Sequence, residues 1–477
     1  MHPGFDIDSR AVNIGRLQRE RFDVLVVGGG INGAGIARDL ALRAHDAGRD
    51  LRVGLIEKRQ FSSGTSGRNS QLIHGGLRYL KNFEFGLVRE ALRERATLLR
   101  IAPHLVEPLP LLIPYYSWSD RLLYGTGLAI YDHLAGGDNI ARRRPLGRSE
   151  VAALEPDLAR EGLVSGAIFY DCRVHSARLV LENIADAARL GAVVANYVEA
   201  KGWREDGEGY TVSAVDVLTG ADFLIRTRLL ADARGPWEDG GGLRLVRGSH
   251  IIVPRLTRSR NAIASFGADG RIIFVIPWGQ KDSVSLVGTT DVDHAGTPDD
   301  VRISSEEVNY LMAAIRRLFP AFTEREPLAA YSSLRPLVAD GAGSATDASR
   351  KHAIRMENGI LRISGGKYTT YRAMAEEAAD LLMPETRGAC RTAVRPLGGG
   401  RSEALRERIG PVAYAVRHEM AQRLPDVVFV STYAGHERRL DREALLDTAR
   451  EMADLLSWSP ERVEEEIELT LRIARLP

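Results

Sequence analysis

A short, valine-rich apolar run, Phe22-Asp-Val-Leu-Val-Val27, ends in glycines and predicts a strand buried on both faces. The spacing from Asn32 to about Ala47 is helical, and Leu51-Arg-Val-Gly-Leu-Ile-Glu57 predicts a second strand. The three form a β-α-β unit, the start of a doubly wound sheet. Residues before Phe22 read as a polar leader. Gln60 to Gly76 is crowded with Ser, Gly, Thr and Asn and predicts a loop, whereas Phe85 to Ile101 has a helical period and closes before Pro103. From about Gly162 to Pro336, runs such as Thr211-Val-Ser-Ala-Val215, Ile272-Ile-Phe-Val-Ile276 and Ser283-Val-Ser-Leu-Val287 alternate with turns and predict a largely antiparallel sheet. Helical spacing returns over Ser305 to Phe319. Gly359-Ile-Leu-Arg-Ile-Ser364 predicts a strand, and the segment from Gly365 to Arg372 opens a helix that runs to Leu382. Composition breaks at Arg395-Pro-Leu-Gly-Gly-Gly400. Beyond it, Asp441 to Leu456 and the segment begun by Ser459-Pro-Glu-Arg462 predict helices with solvated, charged faces.

A length of 477 residues allows about two to four folding units. The near balance of 64 Lys plus Arg against 63 Asp plus Glu argues against a nucleic-acid binder, which needs a basic excess on one face. Cys172 and Cys390 are too few and too far apart for a disulfide framework or a thiolate metal site, so no metal is expected and a reducing compartment fits. The start of the chain lacks an export signal, and no apolar run is long enough to cross a bilayer. The expected location is the cytoplasm, with a peripheral place on the inner face of the cell membrane left open. Leu109-Pro-Leu-Leu-Ile-Pro-Tyr-Tyr116 bears on that question, as either an apolar patch for lipid or a buried connection.

Gly28-x-Gly30-x-x-Gly33 lies between the first strand and the first helix. There Gly28 makes the tight turn, Gly30 lets backbone approach a pyrophosphate, and Gly33 lets helix and strand pack closely. The pyrophosphate would sit at the positive end of the helix that starts near Asn32. Glu57 ends the second strand where a ribose hydroxyl needs an acceptor. The fingerprint alone does not choose between NAD and FAD; its position near the start, with no second nucleotide motif, favours FAD.

Six ordered motifs carry a resemblance. They are the Gly28 to Ala37 fingerprint, Leu72-Ile-His-Gly-Gly-Leu-Arg-Tyr-Leu80, Arg247-Gly-Ser-His-Ile-Ile-Val-Pro254, Val287-Gly-Thr-Thr-Asp291, Leu334-Arg-Pro336 and Gly365-Gly-Lys-Tyr-Thr-Thr-Tyr-Arg372. From about Phe22 to Arg372 the chain resembles the FAD-dependent, quinone-linked sn-glycerol-3-phosphate dehydrogenases, and Arg417-His-Glu-Met-Ala421 and Leu424-Pro-Asp-Val-Val428 extend the likeness thinly. The resemblance implies an α/β protein: a glutathione-reductase-like, doubly wound FAD domain (16–98, 158–238 and 331–385), an antiparallel-sheet substrate domain (99–157 and 239–330) and a small C-terminal helical domain (395–477). It implies oxidation of glycerol 3-phosphate to dihydroxyacetone phosphate, with electrons passed from FAD to membrane quinone, or to dioxygen in an oxidase branch. A homodimer is left open.

Such a reaction needs a base for the hydroxyl proton and cations for a phosphate dianion. His74, in a glycine-bordered loop, suits the base role, with His250 as rival; a structural histidine is the alternative for each. Arg335, Lys367, Arg350 and Arg78 are the candidate cations, with Tyr79 beside them, although most arginines in a chain like this are surface charges. The cofactor contacts implied are Gly28, Gly30, Asn32, Gly33, Glu57, Thr65, Ser66, His74, Gly75, Gly235, Gly366, Lys367, Thr369 and Thr370. A helix opening at Gly366 would aim its N–H groups at the flavin edge where negative charge collects on reduction.

The pattern departs from the family in three places. Gln71 stands where a lysine is usual, which would remove a cation near flavin or substrate. Arg234, in Asp232-Ala-Arg-Gly-Pro-Trp237, puts a guanidinium where backbone should pass close to FAD, unless it reaches the adenosine phosphates or solvent. Phe429-Val-Ser-Thr-Tyr-Ala434 replaces an Arg-rich stretch in a shortened tail. These departures keep two alternatives in view: a relative acting on another hydroxy or amino compound, and a flavin-binding module that has lost catalysis.

Overall fold

The computed structural model describes residues 4–238, 243–267, 270–338 and 352–477. Its first layer is a sheet whose centre is parallel, in the order Ile360–Gly365, Ala221–Asp232, Arg21–Val27, Val53–Glu57, Val193–Asn196. The valine run lies in the middle. Val24 and Val26 point into one apolar layer and Leu25 and Val27 into the other, so the strand is buried on both faces as its pattern predicts. Helix Ile31–Ala47 covers one face together with Ser176–Arg189 and Tyr371–Leu382. The antiparallel ribbon Val198–Glu205, Tyr210–Asp216 continues the sheet from Ala221–Asp232.

The stretch read as a polar leader is a helix, Ile7–Arg19, capped by Asp6. Beside Leu17 it buries two polar side chains. Arg10 donates to the Asn196 carbonyl at 3.1 Å and pairs with Asp216 at 2.7 Å, and Asn13 donates to the Val194 carbonyl at 2.9 Å.

The second sheet is antiparallel except for one parallel step, between Val106–Tyr115 and Ala262–Phe266. Three strands that the sequence boundaries assign wholly or mostly to the nucleotide domain are hydrogen-bonded into this sheet: Leu72–Ile73 along Ser165–Val174, Ser165–Val174 along the whole of Val106–Tyr115, and Ala329–Val338 along Leu243–Pro254. The apolar segment at Leu109 is therefore a buried strand and not a lipid patch; Leu111, Leu112 and Ile113 are at most 1% exposed. The exposed apolar surface lies next along the chain, on helix Trp118–Ala135. This helix buries Leu128, Tyr131 and Ala135 and leaves Trp118, Leu122 and Leu123 in solvent.

Helices Gly399–Ile409, Pro411–His418, Arg442–Leu456 and Pro460–Ala474 form the C-terminal region around Leu445, Ala449, Met452 and Ile467. Among the described residues no helix is long and apolar enough to cross a membrane, and no cluster of ligating side chains could hold a metal ion.

Candidate active site

A cavity of about 1190 Å³ runs from the fingerprint turn, between the two sheets, to the open end of the second. At its nucleotide end the chain leaves strand Arg21–Val27 through Gly28 at φ +113°, and a Cβ there would lie 2.5 Å from the Ala233 carbonyl oxygen. A Cβ on Gly33 would lie 1.9 Å from the Gly28 carbonyl oxygen, so only glycine lets the helix start this close to the turn. Gly28, Gly30, Asn32, Glu57, Thr65, Ser66 and Gly235 line this end. Gly33 supports it from behind. Glu57 accepts from Gly29 N at 2.7 Å and from Arg59 N at 3.0 Å, and burial outweighs those bonds to hold its carboxyl above the usual range. It thus fixes the glycine turn as well as facing the cavity.

Asp299, from the second sheet's side, closes over the same end. It pairs with Lys58 and Arg59 at 2.8 Å each and accepts from Trp237 Nε1 at 2.9 Å.

At the other end, His74, Gly366, Lys367, Tyr79, His250 and Arg335 come together on the cavity wall. Lys367 places its ammonium 3.9 Å from the centre of the Tyr79 ring. Arg335 donates to Asp291 Oδ1 at 2.6 Å, to Thr289 Oγ1 at 2.7 Å and to the Thr290 carbonyl at 3.1 Å, which fixes the guanidinium in one orientation. His250 is 2% exposed, with Nε2 at 2.9 Å from Ser70 Oγ, and burial followed by the charge on Arg335 lowers its pKa to about 3. His74 is half-buried. Its backbone is clamped: Thr369 Oγ1 accepts from His74 N at 3.2 Å and donates to His74 O at 3.1 Å. Gly75 N donates to Tyr131 Oη at 2.8 Å and to Asp171 Oδ1 at 3.2 Å, and Arg95 neutralises that carboxylate at 2.8 Å.

Residues 23–381 match the family described as FAD dependent oxidoreductase. The chain belongs to this family. It is 38% identical over 391 residues to the aerobic glycerol-3-phosphate dehydrogenase of Escherichia coli (strain K12), covering 77% of this chain and 75% of that protein. It is equally 38% identical, over 381 residues, to the D-erythritol 1-phosphate dehydrogenase of Brucella abortus (strain 2308), covering 76% and 74%. The crystal structure of glycerol-3-phosphate dehydrogenase from Bacillus halodurans complexed with FAD superposes with a TM-score of 0.77 at 26% identity, over 98% of each chain. The cofactor of this oxidoreductase is FAD, and the fingerprint cradle and the length of the cavity fit it.

Several readings of the sequence change in this FAD-dependent oxidoreductase. Gln71 is 1% exposed and is absent from the cavity wall; its amide reaches the Gly67 carbonyl at 3.2 Å and caps Ser176 N at 3.0 Å. Arg234 lines the cavity, folds back on Asp232 at 2.9 Å and stacks 4.8 Å above the Trp203 ring, so it leaves the backbone approach at Gly235 open. The side chains of Thr369 and Thr370 are buried and absent from the cavity wall, as is Gly75; Thr369 Oγ1 bonds the His74 backbone and Thr370 Oγ1 donates to the Lys367 carbonyl. The Arg78 side chain and Arg350 lie outside the described residues. The motif Val287–Asp291 contains Thr289 and Asp291 without marking them as partners of Arg335, and no sequence signal marks Asp171 or Tyr131.

Proposed function

We propose that this oxidoreductase converts sn-glycerol 3-phosphate to dihydroxyacetone phosphate and passes the electrons to a quinone at a membrane surface. The observation that carries the substrate is the meeting of Arg335 and Lys367 with two histidines at one end of the FAD cavity. When bound, FAD supplies the hydride acceptor. Gly28, Gly30, Ser66, Glu57 and Gly366 are placed to hold it. Arg335 and Lys367 take the phosphate, and Asp291 keeps the guanidinium aimed while tempering its charge. His74, ordered through its backbone, accepts the hydroxyl proton. His250 holds position beside it as a neutral imidazole, too weakly basic for that role at neutral pH.

The quinone rests on the far wall, where Leu77, Leu80, Leu111, Ile113, Phe169 and Phe274 make an apolar surface that a small phosphorylated polyol does not need. Phe83, Leu122 and Leu123 stand at the mouth and are 78%, 74% and 63% exposed, which supports a peripheral membrane contact on the cytoplasmic side.

Anaerobic addition of glycerol 3-phosphate should bleach the flavin absorbance and glycerol should not; equal bleaching by both overturns the phosphate assignment. The equal identity to a D-erythritol 1-phosphate dehydrogenase favours one second reading, a four-carbon phosphorylated polyol. Comparing kcat/KM for the two substrates decides.

A further inference from the structure

One short segment, Thr65–Gln71, touches both ends of the cavity. Ser66 Oγ accepts from Ile31 N at 2.9 Å in the first turn of the fingerprint helix. Thr65 Oγ1 donates to the Leu334 carbonyl at 2.6 Å, one residue before Arg335, and Ser70 Oγ lies 2.9 Å from His250 Nε2. Any shift of this segment therefore moves the pyrophosphate end and the substrate end together.

Its far side is held by the C-terminal region. Tyr433, 1% exposed, donates its hydroxyl to the Gly67 carbonyl at 2.7 Å and accepts from Ala177 N at 3.2 Å, with Ser176 Oγ at 3.1 Å and Gln71 Nε2 at 3.4 Å. Ser176 and Ala177 open helix Ser176–Arg189, whose first N–H is taken by Gln71 Oε1. The phenol oxygen and the Gln71 amide thus satisfy the first two donors of one helix start, and the segment is docked on that start through Gly67 and Gln71. The Tyr433 ring is wedged edge-on against His175, 4.3 Å between centroids, and Trp278 at 6.0 Å. Gln71 and Tyr433 both lie where the sequence leaves the family pattern, and here they are in contact.

We propose that Tyr433 is a positioning residue: through its own contacts with Gly67 and Gln71 it holds Thr65–Gln71, sets Ser66 and Ser70, and so governs FAD retention and the His250 side of the substrate site. The kinetic half of this proposal rests on the proposed function; the cofactor half does not.

The test uses Tyr433→Phe in the full-length holoenzyme. FAD release, followed by the fluorescence of freed flavin, should rise by roughly 3- to 10-fold, the range of one hydrogen bond, and anaerobic flavin reduction by glycerol 3-phosphate should slow by a similar factor. Met452→Ala, in the core of the C-terminal helices, is the control. It should lower the melting temperature at least as much and leave both rates at wild type. Ser70→Ala combined with Tyr433→Phe should reduce no more slowly than Ser70→Ala alone. Gln71→Leu, which strips the same helix start from the other side, should also speed FAD release. Wild-type release and reduction in Tyr433→Phe, the same rate changes in Met452→Ala, or multiplied effects in the double variant overturn the proposal. If glycerol 3-phosphate fails to reduce even the wild type, the functional reading falls while FAD release still judges Tyr433.

Discussion

His74 and His250 face one cavity from different degrees of burial. Burial keeps His250 neutral down to about pH 3, whereas His74 is half-buried and held by its main chain. A general base contributes about 10² to 10⁴ in rate, so His74→Ala should slow anaerobic flavin reduction by that order with FAD still bound, and His250→Ala should do less. Stopped-flow absorbance checks both; a fast His74→Ala enzyme beside a dead His250→Ala enzyme moves the base to His250. Arg335→Lys should raise KM for the phosphorylated substrate by about one to two decades, because an ammonium cannot reproduce a two-pronged grip. Initial-rate kinetics at saturating acceptor test it, and an unchanged KM removes Arg335 from the phosphate site. Motifs made Arg335, Lys367 and both histidines legible in the sequence. Asp171 and Tyr131 were not, because their meeting with Gly75 depends on a strand and a helix that pair far along the chain.

Elements were legible where apolar residues carry the period of the buried face, even with Glu94 and Arg95 buried among them in helix Phe85–Ile101. The valine strand, helix Phe85–Ile101 and helix Ser305–Leu318 all follow from period alone. Helix Ile7–Arg19 does not, since the side chains it buries include Arg10 and Asn13, matched to Asp216 and backbone carbonyls. Sheet membership is equally invisible: nothing in the pattern of Ser165–Val174 says which of two sheets it joins. Helix Trp118–Ala135 carries the prediction that belongs to this scale. Leu122→Asp with Leu123→Asp should lower partition onto lipid vesicles at least about tenfold, since an exposed leucine buried in lipid contributes roughly 1.5 to 3 kcal/mol. Reduction by soluble substrate should be unaffected. Vesicle sedimentation reads the first and stopped flow the second; undiminished binding removes this helix from any membrane contact.

For the molecule as a whole, buried neutral histidines set the response to acid. His436, 4% exposed among aromatic rings and with neither ring nitrogen hydrogen-bonded, has its pKa lowered to about 3 by burial and then by the charge on Arg68. Between its ordinary 6.5 and that value the unfolded chain binds a proton that the folded chain refuses, so stability falls as pH drops through this window; above 6.5 this group contributes no slope. Asp426, raised by burial to about 6, opposes it by taking its proton first in the folded state. His436→Phe should therefore flatten the acid limb by about 1.4 kcal/mol per pH unit between roughly pH 6 and 4, measured by denaturant unfolding. An unchanged slope refutes the assignment.

The parallel sheet sets one further condition, on the order of events during synthesis. Strand Arg21–Val27 is made well before its layer can close: the neighbour beyond Ala221–Asp232 is Ile360–Gly365, and Tyr433 is later still. At about 5–20 residues per second the ribosome needs roughly half a minute to travel between them. Throughout that interval the glycine turn exists without Gly366, Lys367 or the segment's anchor. The cofactor thus meets a half-built cradle on any chain grown only that far, and its capture waits for later segments to close over a turn made long before them.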